Sequence, residues 1–396
     1  MNTMRAIVIG AGIAGTATGI FLRREGFDVA LFEQRNAQAE DEGQFLSIAP
    51  NGLQVLDELG LGDEVRHAGL PTERLRFMNG SGRRLGSVAL GIEGRASITL
   101  KRAELHRILQ REAVLCGVDL KHGTRFDGIE QAGLVRARFD DGSSATGNLL
   151  IGTDGLWSPV RRALFPDAPE PRATGLTSCG GFAHGVDLPP SRDGMTMIFG
   201  RRAFFGYMVS PAREVYWFST VESRAVAPRS PDFRERLQHT LLELHAGDGD
   251  VVNQIIRATS GAIGAYAIQD IPTLAHWVRG NAVVIGDAAH ATSPHGGQGA
   301  SMALEDAWVL SDALRQRRAG EAIELALRRF QRQRQARVER VVEWSRRNGG
   351  GKVAGNAVQR WVRDLAMPLV LRHAGRQGAH DWLYDFQPAP FDVRRA

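Results

Sequence analysis

The chain has 396 residues, with 43% apolar and 23% charged content, the make-up of a globular protein of two domains or one large one. No apolar run approaches the ~20 residues needed to cross a bilayer, which excludes an integral membrane protein. Net charge is +5 with lysine only at positions 101, 121 and 352, and the two cysteines, Cys116 and Cys179, allow neither a disulfide framework nor a CxxC metal site.

The opening, "MNTMRAIVIGAG", runs into a β-branched strand at Met4–Ile9 without an apolar signal region, and predicts a cytoplasmic protein. Helical spacing follows over Gly12–Glu25, with Ile13, Ala17, Ile20 and Phe21 on one side, then a strand at Val29–Phe32. Gly10, Gly12 and Gly15 form GxGxxG between that strand and that helix. The first glycine permits a tight turn, the second lets backbone approach a pyrophosphate, and the third allows close helix–strand packing. The helix start offers free N–H groups to phosphate. Glu33 ends the second strand, placed to accept hydrogen bonds from ribose hydroxyls and to repel a 2′-phosphate. The unit predicts a bound dinucleotide. FAD and NAD share the ADP half, so this loop alone leaves both open.

Pro50 sits at the first turn of a helix, "PNGLQVLDELGL", closed by Gly60. Residues 72–88 alternate as strands around "NGSG", and Arg102–Leu115 is helical. Residues 126–150 hold two alternating runs around "FDDGSSATG", a hairpin signal. A short helix is expected at Trp157–Leu164. From Pro166 to Pro190 prolines and glycines cluster, and strands follow at 195–199, 203–209 and 215–221, with a turn at Pro211–Arg213 between the last two. Two helices are expected at 233–244 and 251–256, and strand texture at 262–268. The basic run Arg328–Arg347 reads as the polar face of a helix, with Phe330, Val338, Val341, Val342 and Trp344 as its apolar contacts. No aromatic-rich basic strand accompanies it, so nucleic acid is not an expected partner. The expected organisation is a discontinuous cofactor domain (1–71, 99–171 and 268–317), an inserted sheet-rich substrate domain (72–98 and 172–267) and C-terminal helices (318–396).

A second glycine loop lies some 270 residues after the first, in "IGDAAHATSPHGGQGASMALEDA" (285–307). NAD is short enough for one βαβ unit. FAD needs further partners for its ribityl chain and a surface for its ring. Asp287 can accept from a ribityl hydroxyl, and Gly296, Gly297 and Gly299 let backbone lie against a flavin. A helix beginning near Gly299 turns its positive end toward the negative charge of reduced flavin, an effect of about 0.3–2 kcal/mol. The second loop therefore decides for FAD.

These motifs resemble the para-hydroxybenzoate hydroxylase-like (class A) flavoprotein monooxygenases. Gly10–Gly15 with Glu33 matches the family's dinucleotide motif. Gly152-Thr-Asp154-Gly155-Leu-Trp-Ser158-Pro-Val-Arg161 matches its Asp-Gly motif. Gly286-Asp287-Ala288-Ala289-His290 with Pro294 and Gly296–Gly299 matches its Gly-Asp motif. Arg102 before Leu105, Ser47 before Pro50, and Arg334 and Arg337 ahead of Ser345 agree. The resemblance spans residues 4–345. It implies an α/β fold, with a Rossmann-like FAD-binding domain, an inserted sheet-rich substrate domain and a helical tail. The FAD contacts it implies are Gly10, Gly12, Ala14, Gly15, Glu33 and Gln34 at the ADP end; Ser47, Arg102, Phe126 and Asp154 along the chain; and Asp287, Gly297, Gln298, Gly299, Ala300 and Ser301 around the flavin. Ser301 is a departure, since many relatives carry Asn there; a hydroxyl can replace part of an amide's hydrogen bonding.

The resemblance also implies the chemistry. NADH or NADPH reduces FAD, O₂ forms a flavin C4a-hydroperoxide, and one oxygen passes to an aromatic or polycyclic small molecule. The protein supplies position and water exclusion. No second GxGxxG offers a separate nicotinamide domain, which fits transient docking of NADH or NADPH. Pro294 falls beside the reactive flavin edge and His295 in the loop next to it; these are the catalytic candidates. His290 is either a base or a hydrogen-bonded structural residue, and Arg161 either a phosphate contact or a salt bridge. No metal ligand set is present. Arg202, Phe205, Tyr207 and Tyr216 are candidate substrate contacts on the inserted sheet, with core packing the alternative for the aromatics. Other reaction types compete: a halogenase, although WxWxIP is absent, a flavin reductase, or a non-catalytic flavin-binding protein docked through its basic tail. Monomer and homodimer both stay open. The apolar and basic segment 353–371 is expected to dock on the flavin domain, with a bilayer surface as the alternative.

Overall fold

The computed structural model describes residues 3–36, 45–92, 94–226, 230, 232–349, 356–375 and 380–389. Residues 390–396, part of the expected helical tail, lie outside them.

A six-stranded sheet anchors the cofactor half. Its order is Val278–Arg279, Ala282–Val284, Leu149–Gly152, Arg5–Ile9, Asp28–Phe32 and Asp119–Lys121, parallel except for the first pair. The central strands are buried along nearly their whole length (Ile7, Val8, Leu150, Ile151 and Val283 are fully buried), because helices cover the sheet. Helix Ile13–Arg24 packs beside helix Gly299–Arg315, and helix Ile323–Gly349 packs on the latter. The hairpin signal resolves into a three-stranded meander, Phe126–Ala132, Leu134–Phe139 and Ser144–Gly147. The apolar run that follows it, Leu149–Gly152, joins the parallel sheet instead.

The second half is a seven-stranded sheet in the order Gly264–Asp270, Arg172–Ala183, Val215–Glu222, Phe204–Val209, Gly194–Phe199, Arg74–Asn79 and Arg84–Ala89. The chain enters it twice, so the 74–89 hairpin lies against strand 194–199, in parallel register. One face is covered by helices Phe233–Leu244 and Asp250–Arg257, with Phe205, Trp217, Leu237, Leu241 and Ile255 in one core. The opposite face carries Met195, Met197, Phe204 and Met208, with Phe45 and Phe218 beside them.

The stretch where prolines and glycines cluster contains the longest strand among the described residues, Arg172–Ala183. Its Gly181 has a packing reason: a Cβ there would stand 3.2 Å from Thr259 Cγ2 and 3.5 Å from the Trp217 ring. The tail segment also differs from expectation. Helix Ala357–Ala374 docks on strand Arg84–Ala89 of the seven-stranded sheet, not on the flavin half.

Candidate active site

Three motifs distant in sequence sit side by side because their strands are neighbours. Strands 282–284, 149–152 and 5–9 are adjacent and parallel, so the Gly-Asp, Asp-Gly and GxGxxG loops leave the same edge of the sheet. This is the carboxyl edge, where open α/β sheets bind ligands. Hydrogen bonds stitch the loops together. Thr153 N donates to Ile9 O at 2.8 Å, and Thr153 Oγ1 donates to Gly10 O at 2.7 Å. Ile285 N donates to Gly152 O at 3.0 Å.

Each glycine of the first loop has its own constraint. Gly10 has φ +102°, and a Cβ there would stand 2.5 Å from Thr153 O. A Cβ at Gly15 would overlap the Gly10 carbonyl and stand 2.5 Å from Thr153 Oγ1. At Gly12, by contrast, a Cβ would meet nothing within 4 Å. Gly10 and Gly15 are fixed by the protein itself, and Gly12 opens onto free space. Helix 13–24 has no acidic residue in its first turn and no side-chain cap, so its N–H groups stay available to phosphate. Glu33 Oε2 accepts from Ala11 N at 2.8 Å, which holds the carboxylate over the loop. Gln34 is exposed beside it. Ala14 is buried against the second loop, since a Cβ at Gly286 would stand 3.0 Å from Ala14 Cβ. Sequence reasoning missed His106, whose Nε2 lies 2.5 Å from Ala11 O.

The second loop divides in the same way. A Cβ at Gly296 would press on Trp344 at 3.1 Å, so this glycine serves helix packing. Gly297 is exposed, with φ +61° and nothing within 4 Å of a Cβ, and Gly299 would meet only Thr292 Cγ2 at 3.7 Å. Asp287 and Pro294 are exposed on the same loop system, and Ala300 is half-buried. Helix 299–315 has neither an acid in its first turn nor a side-chain cap. The residues present therefore fit FAD: open backbone at both loops, uncapped helix starts at both, and a carboxylate at each.

Several candidates have other work. Ser301 is fully buried, and its Oγ accepts from Ala49 N at 3.0 Å; Gly52 leaves room for that contact. The hydroxyl is committed to the 50–58 helix, not to the flavin. Gln298 is buried and accepts from Asn51 Nδ2 at 3.0 Å, which leaves only its backbone for the cofactor. The Phe126 ring lies in the flavin-half core because its strand alternates inward and outward. Ser47 Oγ is 2.7 Å from Thr99 Oγ1. Arg102 is exposed at the first residue of its helix. Asp154 caps helix Pro159–Leu164, bonding the Ser158 hydroxyl and accepting from Val160 N at 2.9 Å. Burial pushes its pKa up to about 6, against the pull of those two donors. Arg161 is neither a phosphate contact nor a surface salt bridge. It is buried and donates to Ala288 O and Leu156 O, both at 2.8 Å, which ties the Asp-Gly motif to the Gly-Asp motif.

The catalytic reading of the histidines changes too. His295 Nδ1 lies 2.6 Å from Ser293 Oγ, and its ring packs against Gly349, at the end of helix 323–349. His290 Nε2 is 2.5 Å from Asp306 Oδ2, with its ring 5.3 Å from that of Trp277. Both rings are held by the scaffold.

Behind the flavin loop lies a buried ionic network that the motifs only hinted at. Arg334 donates to Asp306 Oδ1 at 2.7 Å and to Glu305 Oε2 at 2.5 Å. Arg337 reaches Glu305 Oε1 at 2.7 Å, and Asn51 Nδ2 reaches the same oxygen at 2.6 Å. Asp306 Oδ2 also accepts from Gly286 N at 2.9 Å. Burial would raise the Asp306 pKa, but His290 and Arg334 outweigh it and hold it down to about 2. Asn51 and Gly286 are thus fixed by charges on the helices below. Two signals mark the network in the sequence: adjacent acids, Glu305 and Asp306, between apolar residues of one helix, and Arg334 in register with Phe330, Val338 and Val341.

On the inserted sheet the four substrate candidates separate. Phe205 is fully buried, stacked on Trp217 at 5.6 Å on the helix-covered face, and Tyr207 lies on that face with it. Arg202 is exposed and donates to Glu243 O on the same side. These three are removed from the flavin loops by the thickness of the sheet. Tyr216 is on the other face, its ring 5.0 Å from Phe182 and 5.7 Å from Phe45. Burial raises its hydroxyl pKa to about 12. Lys101 Nζ sits 4.6 Å over the Phe182 ring and donates to Glu214 Oε1 at 2.8 Å. Strand 45–48 links this cluster to the flavin loop, since Phe45 touches Tyr216 and Ala49 touches Ser301. At about 3.3 Å per residue, those four steps span ~13 Å.

Among the described residues, no cluster of three or more His, Cys, Asp or Glu could hold a metal ion, and no helix is long and apolar enough to cross a membrane.

A family model described as an FAD binding domain matches residues 3–345. The aurachin C monooxygenase/isomerase of Stigmatella aurantiaca is 32% identical over 375 residues, covering 93% of this chain and 94% of that protein. The FAD-dependent urate hydroxylase of Klebsiella pneumoniae is 33% identical over 349 residues, covering 86% and 88%. The crystal structure of Klebsiella pneumoniae HpxO with FAD and uric acid superposes with a TM-score of 0.81 at 28% identity, covering 94% of this chain and 96% of that one.

Proposed function

This chain belongs to the FAD-binding-domain family of flavoprotein monooxygenases, and from that premise we propose that it hydroxylates an aromatic small molecule held between the flavin loop and the Phe45–Phe182–Tyr216 wall, at the expense of NADH or NADPH and O₂. The observation that carries the reading is the pair of open glycines, Gly12 and Gly297, on loops leaving one sheet edge, with an aromatic face about one short strand beyond the second.

Bound FAD supplies the redox chemistry: two electrons from NAD(P)H activate O₂, one oxygen enters the substrate and the other leaves as water. The chain's own residues do the rest. The N–H groups at the start of helix 13–24 would hold the pyrophosphate by hydrogen bonds, and Glu33 would orient the ribose. Asp287 accepts from the ribityl chain. The start of helix 299–315 stabilises negative charge at the ring edge, by about 0.3–2 kcal/mol. Pro294 and Gly297 border the reacting edge. Phe182 and Tyr216 stack on the substrate and exclude water. Residues 72–98 and 172–267 serve as the substrate domain. A cytoplasmic location and a monomer or homodimer complete the reading.

The test is turnover under ¹⁸O₂. Substrates drawn from phenols, heteroaromatics and polyketides that speed NADH or NADPH oxidation are expected to give product with one labelled oxygen. Unlabelled product from a coupled substrate rejects the proposal.

A further inference from the structure

A surface helix normally turns its apolar stripe to the core and its charges to water. Helix Ala357–Ala374 does the reverse. Leu371 is buried against Gly86, and Met367 packs in the same cluster. Beside them, on the protein side, are charges: Arg363 donates to Phe199 O at 3.2 Å, and Asp364 accepts from Asn79 Nδ2 at 2.8 Å. Outward lie Val358 (69% exposed), Trp361 (66%), Val362 (51%), Leu365 (62%) and Leu369 (70%). Their spacing of 3, 4, 7 and 11 puts all five within about 100° of arc. Arg372 and His373 are exposed at the end of that stripe, and the helix's one carboxylate, Asp364, faces the protein.

We propose that this face lies on the surface of an anionic lipid bilayer, with the stripe in the headgroup–acyl boundary and Arg372 on lipid phosphates. An apolar face with a tryptophan, flanked by cations and free of outward acids, is what such a surface takes. The net charge of +5 has the right sign. A second copy of the chain is a poorer occupant. Pairing across a two-fold sets stripe against stripe and meets Arg372 with no carboxylate, since the helix's one acid, Asp364, faces the protein. The helix lies in the membrane plane, since no described helix can cross. Met367 and Leu371 share their apolar cluster with Phe45 and Phe218, so docking sets the substrate side of the sheet against the bilayer.

The test is flotation of the full-length, FAD-loaded protein with vesicles of phosphatidylcholine alone or mixed with phosphatidylglycerol. Wild type is expected to float with the anionic vesicles, with blue-shifted tryptophan emission that Trp361→Phe removes. The double variant Trp361→Glu/Leu365→Glu is expected to bind at least about tenfold more weakly. It should keep its FAD and its melting temperature, because both side chains are solvent-exposed. Three outcomes overturn the proposal: wild type that stays unbound at low salt, equal binding to both vesicle types, or a wild-type dimer that the double variant converts to monomer.

Discussion

Gly12→Ala separates what the first loop owes to the fold from what it owes to the cofactor. Gly12 has φ −74° and ψ −169°, ordinary for alanine, and a Cβ there meets nothing within 4 Å. The apoprotein should therefore be as stable as wild type, or more stable by about 0.4–1 kcal/mol through the lost entropy of the unfolded chain. The same methyl occupies the space through which backbone reaches the pyrophosphate. Losing one or two charge-assisted hydrogen bonds at about 1.5–3 kcal/mol each weakens FAD by roughly ten-fold to twenty thousand-fold. Gly15→Ala is the counter-case. Its Cβ overlaps the Gly10 carbonyl, and relieving that costs about 3 kcal/mol or more of stability before any cofactor is added. The assays are urea unfolding of each apoprotein and titration with FAD followed by its fluorescence. A Gly12→Ala protein that binds FAD within about threefold of wild type, or whose apoprotein loses more than about 2 kcal/mol, refutes the reasoning.

Arg334→Met leaves the Asp306 carboxylate with the His290 ring and the Gly286 N–H, and Glu305 with Arg337 and Asn51, and should cost about 3–5 kcal/mol in urea unfolding; a loss under 1 kcal/mol would show the network to be dispensable. Asp154 has a folded pKa near 6, above its ordinary 3.8. The folded chain therefore holds this proton more tightly than the unfolded one, and the resulting stability is full below about pH 4 and falls as pH rises to about 6. Asp154→Asn should flatten that segment of the stability–pH curve, and an unchanged slope would contradict the assignment. Phe205→Ala should cost about 3–5 kcal/mol of stability while kcat/KM per folded molecule stays within about threefold. Tyr216→Ala should lower kcat/KM by about tenfold or more or release peroxide; equal kinetic effects from the two would contradict the division of the sheet faces.

The residues that touch backbone were the legible ones. Gly10 and Gly15 have jobs set by main-chain sterics, Gly297 by its positive φ, and Gly12 completes the same spacing, so the glycine pattern alone points to them. Helices Arg102–Leu115 and Phe233–Leu244 were readable to the residue from their periodicity. The side-chain contacts were less legible, for identifiable reasons. The seven-stranded sheet is covered on both faces, so both faces are apolar, and alternation shows that Phe205 and Tyr207 share a side without showing which side meets the flavin. Strand 172–183 was obscured by its glycines, of which Gly181 makes room for Trp217 and Thr259. Ser301 looked like a ligand contact because its position matches one. Its true partner, Ala49 N, lies 252 positions away in sequence. His295 likewise has its place set by Gly349, on a helix that no local pattern connects to the loop.

The most direct measurement is a crystal structure of the protein grown with FAD. The expected result is the pyrophosphate within hydrogen-bonding reach, about 2.7–3.2 Å, of the N–H groups at the start of helix 13–24. The flavin ring is expected in van der Waals contact with main chain at Gly297–Gly299, facing Tyr216. A flavin ring seated elsewhere, with Gly297 still opening onto solvent, would contradict this reading.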